Sequence, residues 1–294
     1  MLCVARSCST VAVAMLGCHP DAYAFPELLL FNGATVREIA SLDSPSLIEQ
    51  YWKSGLPRAV AELWFGSQSE QAVEDARDWI RQRSDLAPDQ IFGEMLEKIA
   101  PRVGVEKSPD TAFSDRRLAS CLASFPNARF LHLVRHPVAN IESLARHLRA
   151  MRAARAGIEE SALDFGEVLL DSAKVWLEIN GNIQRFTSRL PVHQALRVNA
   201  EQLVASPADA LPRILGWAGL DASAAVVERM RHPEQWPYAH VGPPGAEAGG
   251  DLGFLEHPTL RPRPAPGALQ PPEAWVLPRP VVRELVELGR ELGY

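Results

Sequence analysis

The residues with the clearest chemical potential are cations and hydroxyls placed where apolar runs end. Arg135 follows the run Phe130-Leu131-His132-Leu133-Val134, His136-Pro137 comes next, and Ser143 lies eight positions beyond the arginine. An arginine presents a planar fork matched to phosphate oxygens, and a serine hydroxyl on the next element can donate to the same anion. Arg6-Ser7-Cys8-Ser9-Thr10 supplies a cation and hydroxyls just before an apolar helix, whose first backbone N–H groups add to an anion cradle. Lys107, within Val103-Gly104-Val105-Glu106-Lys107-Ser108-Pro109, ends another run, where an ammonium can stabilise charge building on a departing phosphate oxygen. Two groups could take up a proton. Glu27, between Pro26 and the apolar run Leu28-Leu29-Leu30-Phe31, reads either as an exposed helix-start carboxylate or as a partly desolvated base. His257 closes Gly250-Asp251-Leu252-Gly253-Phe254-Leu255-Glu256, where a loop histidine ordinarily hydrogen-bonds locally.

These side chains need a sheet whose strand ends converge. Residues 130–134 read as a buried strand and 137–155 as the helix that Pro137 opens, which sets Arg135 at the strand's carboxyl end. Open α/β sheets bind ligands there. Residues 2–5, 103–105 and 195–199 read as further short strands, and 11–17, 116–125, 164–190, 207–218 and 281–292 as helices. Trp79 and Ile80 within 69–83, and Ile91, Met95 and Ile99 within 88–100, give two more helices with core-facing stripes. Arg146, Arg149, Arg152 and Arg155 step by three along one face, either a solvated face or a contact for a cofactor or carrier protein. Residues 241–280 turn rich in glycine and proline and are expected to form an irregular, partly mobile flap with no helix before 281. Residues 2–5 make a short first strand, so the native chain is expected to begin upstream.

Strand, arginine, proline and spaced serine together resemble the 3′-phosphate-binding element of sulfotransferases that use 3′-phosphoadenosine 5′-phosphosulfate (PAPS). The Arg6–Thr10 stretch resembles their 5′-phosphosulfate loop, commonly Arg/Lys-Ser-Gly-Thr/Ser-Thr. Cys8 stands where glycine is usual and is expected to do without the positive φ that glycine allows. Lys107-Ser108-Pro109 is similar to the family's Lys-x-Pro turn, but the histidine base of the cytosolic small-molecule branch is missing beside it; Ser108 and Asp110 flank the turn. His19-Pro20-Asp21 followed by Pro26-Glu27-Leu28 resembles tyrosylprotein-type enzymes and the sulfotransferase domains of bacterial polyketide synthases, which use a glutamate here. Glu201-Gln202-Leu203-Val204 with Pro207 resembles the family's Tyr-Glu-Asp-Leu-Val segment, from which Ala200 and Gln202 depart, and residues 250–257 resemble a late loop of the polyketide-synthase domains.

The resemblance implies one α/β sulfotransferase-like domain over residues 1–294, three-layered around a mostly parallel central sheet of the P-loop, nucleotide-kinase-like type, with a helical insertion at 33–100. It implies sulfuryl transfer from PAPS, with PAP as product, to a hydroxyl on a small molecule or on a chain held by an acyl carrier protein, in bacterial natural-product biosynthesis. Arg6, Ser7, Cys8, Ser9 and Thr10 would hold the 5′-phosphosulfate, Lys107 would stabilise the bridging oxygen, and Arg135 and Ser143 would bind the 3′-phosphate. Glu27 would take the acceptor's proton, with His257 as the alternative base. No metal is required.

Composition bounds these readings. With 294 residues and 47% hydrophobic content the chain can bury a large α/β core, and its apolar runs are shorter than a membrane span. A net charge of −6 disfavours a general nucleic-acid binder, so a polyanionic cofactor needs a local cluster such as Arg6, Lys107 and Arg135. Cys3, Cys8, Cys18 and Cys121 show neither zinc-ligand spacing nor a disulfide framework, which points to a reducing, cytoplasmic compartment. The competing reading of the first residues is an export signal, with Arg6 as charged region and Ala22-Tyr23-Ala24 as a cleavage-like site, although its apolar core is short. A P-loop kinase would need the Gly-x-x-x-x-Gly-Lys-Ser/Thr pattern, which the sequence lacks. A non-catalytic nucleotide-binding relative stays open, because Cys8 and the short first strand weaken the cradle.

Overall fold

A computed structural model describes residues 1–41, 55–247, 249–261 and 267–294. Among the described residues, four short strands pair as two parallel ribbons. β1 (Ala22–Ala24) lies beside β2 (Val103–Val105), with Tyr23 opposite Gly104. β3 (Phe130–Val134) lies beside β4 (Ala195–Asn199), with His132 opposite Arg197. β3 is buried along its whole length, with four apolar residues around a His132 whose Nε2 hydrogen-bonds Asn180 Oδ1 at 3.0 Å. The expected strand at residues 2–5 shrinks to one parallel bridge from Leu2 to His132, made by Leu2 N–H to the Leu131 carbonyl (2.8 Å) and Leu133 N–H to the Leu2 carbonyl (2.9 Å). The Met1 amino group meanwhile reaches the Glu106 carbonyl just after β2, so this segment lies between the two ribbons.

β1 is not among the strands expected from the sequence. Ala22, Tyr23 and Ala24, which resemble a cleavage site, are a buried core strand. Tyr23 donates to or accepts from Tyr238 at 2.6 Å, and the Trp236 indole donates to the Ala24 carbonyl at 2.8 Å.

Helices supply most of the remaining mass. α1 (Ser9–Gly17) is buried nearly all round, which suits a helix without an amphipathic stripe. It begins two residues earlier than its apolar pattern suggests, so Ser9 and Thr10 form its first turn. α2 (Glu70–Gln82) and α3 (Pro88–Ile99) bury the stripes expected of them, and Ser69 caps α2 by accepting from the Ala72 N–H. Residues 42–54 of the expected helical insertion lie outside the described residues. α4 (Asp115–Ser124) crosses from β2 to β3, α5 (Pro137–Ala156) and α6 (Phe165–Thr187) form a hairpin from β3 to β4, and α7 (Pro207–Ala218) and α8 (Arg279–Glu291) complete the helical layers. One contiguous core runs from Leu2 to Leu292.

The glycine- and proline-rich segment departs from its expected irregularity. Leu252–Glu256 is helical, capped by the Asp251 side chain on the Gly253 N–H, and α8 starts at Arg279. The segment is also pinned: the Glu27 N–H donates to the Gly249 carbonyl at 2.8 Å, and the Asp251 N–H donates to Thr10 Oγ1 at 3.0 Å. Three of the four arginines in the basic stripe of α5 are engaged within the chain, two of them by carboxylates. Arg146 pairs with Glu142, Arg152 pairs with Asp171, and Arg149 donates to the Glu160 carbonyl.

Candidate active site

Each ribbon's two strands run parallel, and the chain leaves β1, β2, β3 and the Leu2 bridge carrying a candidate group. Glu27 follows β1, Lys107 follows β2, Arg135 follows β3, and Arg6 follows the Leu2 bridge. They converge on a cavity of about 510 Å³. Its lining includes Arg6, Cys8, Ser9, Thr10, Glu27, Arg135, Ser143 and His257. Two sequence-predicted residues sit behind this wall. Ser7 is buried beneath its loop, its Oγ accepting from Asn140 Nδ2 at 2.9 Å. Lys107 is 2% exposed and reaches the cavity through its partners, ion-paired with Glu27 and 3.5 Å from Thr10 Oγ1.

The loop before α1 is held in an uncommon conformation. Arg6 and Cys8 have φ of 67° and 59°, in the left-handed region that costs a residue with a Cβ about 1–2 kcal/mol. This corrects the expectation for Cys8: the turn is made, and the cysteine adopts the glycine-like angle at a cost. The Arg135 guanidinium fixes the loop by donating to the Arg6 carbonyl at 2.7 Å, and Asn140 donates to the Ala5 carbonyl at 3.2 Å. With Cys8 as N-cap, the opening N–H groups of α1 have no intrahelical carbonyl to meet, leaving a positive helix end at the cavity wall.

The two predicted phosphate elements meet each other. Arg6 Nε donates to Ser143 Oγ at 3.4 Å, and Arg6 Nη1 pairs with Asp251 at 2.8 Å. A carboxylate seated on this guanidinium shows that the position accepts an anion. Glu27 is held from three sides: by Lys107 at its carboxylate, by Gly249 at its N–H, and by Gly55 against its carbonyl. A Cβ on Gly55 would stand 1.8 Å from the Glu27 oxygen, so glycine is required for this approach.

Asp110, His147 and Asp251 also line the cavity, and motif reading overlooked all three. Asp110 follows the Lys107-Ser108-Pro109 turn directly, and burial, then the negative charge of Glu27, pushes its carboxyl up to about 6. His147 is one helical turn beyond Ser143 on α5, a spacing that could have found it. Burial, then the Arg6 charge, lowers its affinity for a proton. His19 is structural by contrast. Its Nδ1 accepts from the Asp21 N–H at 3.0 Å, leaving Nε2 to donate to the Asp221 carbonyl at 2.9 Å. Among the described residues no group of three or more histidine, cysteine, aspartate or glutamate side chains is placed to hold a metal ion, and no helix is long and apolar enough to cross a membrane.

Parallel strand ends, two arginines, a buried lysine and a helix amino terminus therefore surround one cavity of an α/β fold, a cationic arrangement of the kind that suits an anion. The chain belongs to the sulfotransferase family, whose profile matches residues 1–224. Its fold is similar to that of the sulfotransferase domain from the curacin biosynthetic pathway, with 24% identity, a TM-score of 0.77, and coverage of 100% of this chain and 96% of that one. It is similar also to the sulfotransferase domain of the Synechococcus PCC 7002 olefin synthase, with 24% identity, a TM-score of 0.73, and coverage of 100% and 93%. No curated protein matches the sequence.

Proposed function

We propose that the protein transfers a sulfuryl group from PAPS to an acceptor hydroxyl. The observation that carries this reading is the Lys107–Glu27 ion pair opening on the same cavity as Arg6, Arg135 and the first turn of α1. The cavity is of nucleotide-binding size, and its cationic wall suits a polyanion. Arg6, Thr10 and the N–H groups of Cys8 and Ser9 would bind the 5′-phosphosulfate, with Ser7 supplying backbone only, and Arg135 and Ser143 would bind the 3′-phosphate. In this reading the two ribbons and the segment between them act as one P-loop-type central sheet, with every binding group at its carboxyl edge.

When bound, PAPS supplies an electrophilic sulfur and PAP as the leaving group. Glu27 would accept the acceptor's proton on its carboxylate. Once protonated it would no longer hold Lys107 by charge, and the Lys107 ammonium would be free to stabilise the negative charge of the leaving-group oxygen. Leu29, Phe113, Leu148 and Met151 give the acceptor side an apolar lining, which suits a hydroxyl on a small molecule or on a carrier-held chain in a cytoplasmic natural-product pathway.

Single-turnover sulfation across a panel of hydroxyl acceptors tests the assignment. Glu27→Gln should keep PAP affinity and lower turnover by about 10²–10⁴, with His257→Ala milder. The opposite order moves the base to the late loop. PAP binding with no acceptor sulfated would favour a non-catalytic binding protein.

A further inference from the structure

The groups assigned to the 5′-anion are already engaged by one residue of the chain. Arg6 Nη1 holds the Asp251 carboxylate at 2.8 Å, and Thr10 Oγ1 accepts the Asp251 N–H at 3.0 Å. Asp251 comes from the other end of the sequence, at the head of the short helix Leu252–Glu256. Two residues earlier Gly249 accepts the Glu27 N–H, and a Cβ there would stand 3.0 Å from Pro26, so the segment lies tightly on the base's own strand end. Beyond it, Phe254 and His257 line the same cavity.

We propose that Asp251 is an internal substitute for the cofactor's anion, which keeps the 249–257 segment seated on Arg6 and Thr10 until a nucleotide anion displaces it. The inference rests on the PAPS-binding reading above. An incoming phosphosulfate meets Arg6 on the side the carboxylate occupies, and two anions so close repel in a site that is two-thirds shielded from water, with Arg6 and Asp251 side chains 28% and 33% exposed. The cofactor therefore binds with the loss of the Asp251 contact, and the segment carrying Phe254 and His257 is released. Nucleotide would then bind before the acceptor, because the acceptor's wall takes its final position only after Asp251 has moved.

Asp251→Asn isolates the charge, because asparagine still caps the helix through the Gly253 N–H. PAP calorimetry on the full chain should show about 5–30-fold tighter binding to Asp251→Asn than to the wild type, the weight of one lost charge-assisted contact. Hydrogen exchange on the wild-type protein should show PAP raising exchange at the Asp251 and Gly253 amides. Equal or weaker PAP binding by the variant, or PAP protecting those amides, would overturn the internal-anion role while leaving the cofactor reading intact. Failure of both proteins to bind PAP would instead remove the cofactor reading and this inference with it.

Discussion

Replacing Asp110 by asparagine should make the protein more stable at neutral pH and leave it unchanged in acid. Asp110 is 7% exposed in the cavity wall, and burial followed by the Glu27 charge raises its carboxyl from 3.8 to about 6, against the opposing pull of Arg117, the Asn32 side chain and Lys107. A carboxyl raised on folding binds its proton more tightly in the native state. Its contribution is therefore fully present below the unfolded value near 3.8 and is lost as pH rises through about 6. The difference corresponds to about 3 kcal/mol of native-state cost once Asp110 is charged. The amide of the substituted side chain keeps the shape and never charges. Urea unfolding of both proteins at pH 8 should show Asp110→Asn ahead by about 1–3 kcal/mol, with the gain vanishing near pH 4. An equal gain at both pH values, or a loss at pH 8, would refute the argument that an unfavourable buried charge is held at the site.

Substitutions at two further positions test the architecture around the base and the loop. Cys8→Gly should raise stability by about 1 kcal/mol by relieving the left-handed backbone at φ 59°, whereas Cys8→Val should lower it, both read from thermal melts. Gly55→Ala should displace the Glu27 backbone and lower sulfation at saturating PAPS while PAP affinity, measured by calorimetry, stays near wild type.

What the sequence makes legible follows from how locally each feature is determined. β3 and the helix after it are readable because four apolar residues around His132, and a proline after them, specify them locally. The stripes of α2 and α3 are readable for the same reason. β1 is not, because Ala22-Tyr23-Ala24 is a strand only by virtue of β2 beside it. The positive φ of Cys8 belongs to a loop whose Ala5 and Arg6 carbonyls are held by Asn140 and Arg135, more than 120 positions away in the sequence. The cations and Glu27 could be read from strand ends, whereas Asp110 and Asp251 could not. Asp110 has no motif of its own, and Asp251 meets Arg6 only through the closing of the whole fold.

The central claim, that this cavity binds a 3′-phosphorylated adenosine nucleotide, is tested most directly by calorimetric titration of the wild-type protein and Arg135→Ala with PAP and with ADP. The account predicts that PAP binds the wild type, that ADP binds far more weakly, and that Arg135→Ala loses about 2–5 kcal/mol of PAP binding while its ADP affinity barely changes. Equal wild-type affinity for PAP and ADP, or PAP binding indifferent to Arg135, would contradict it.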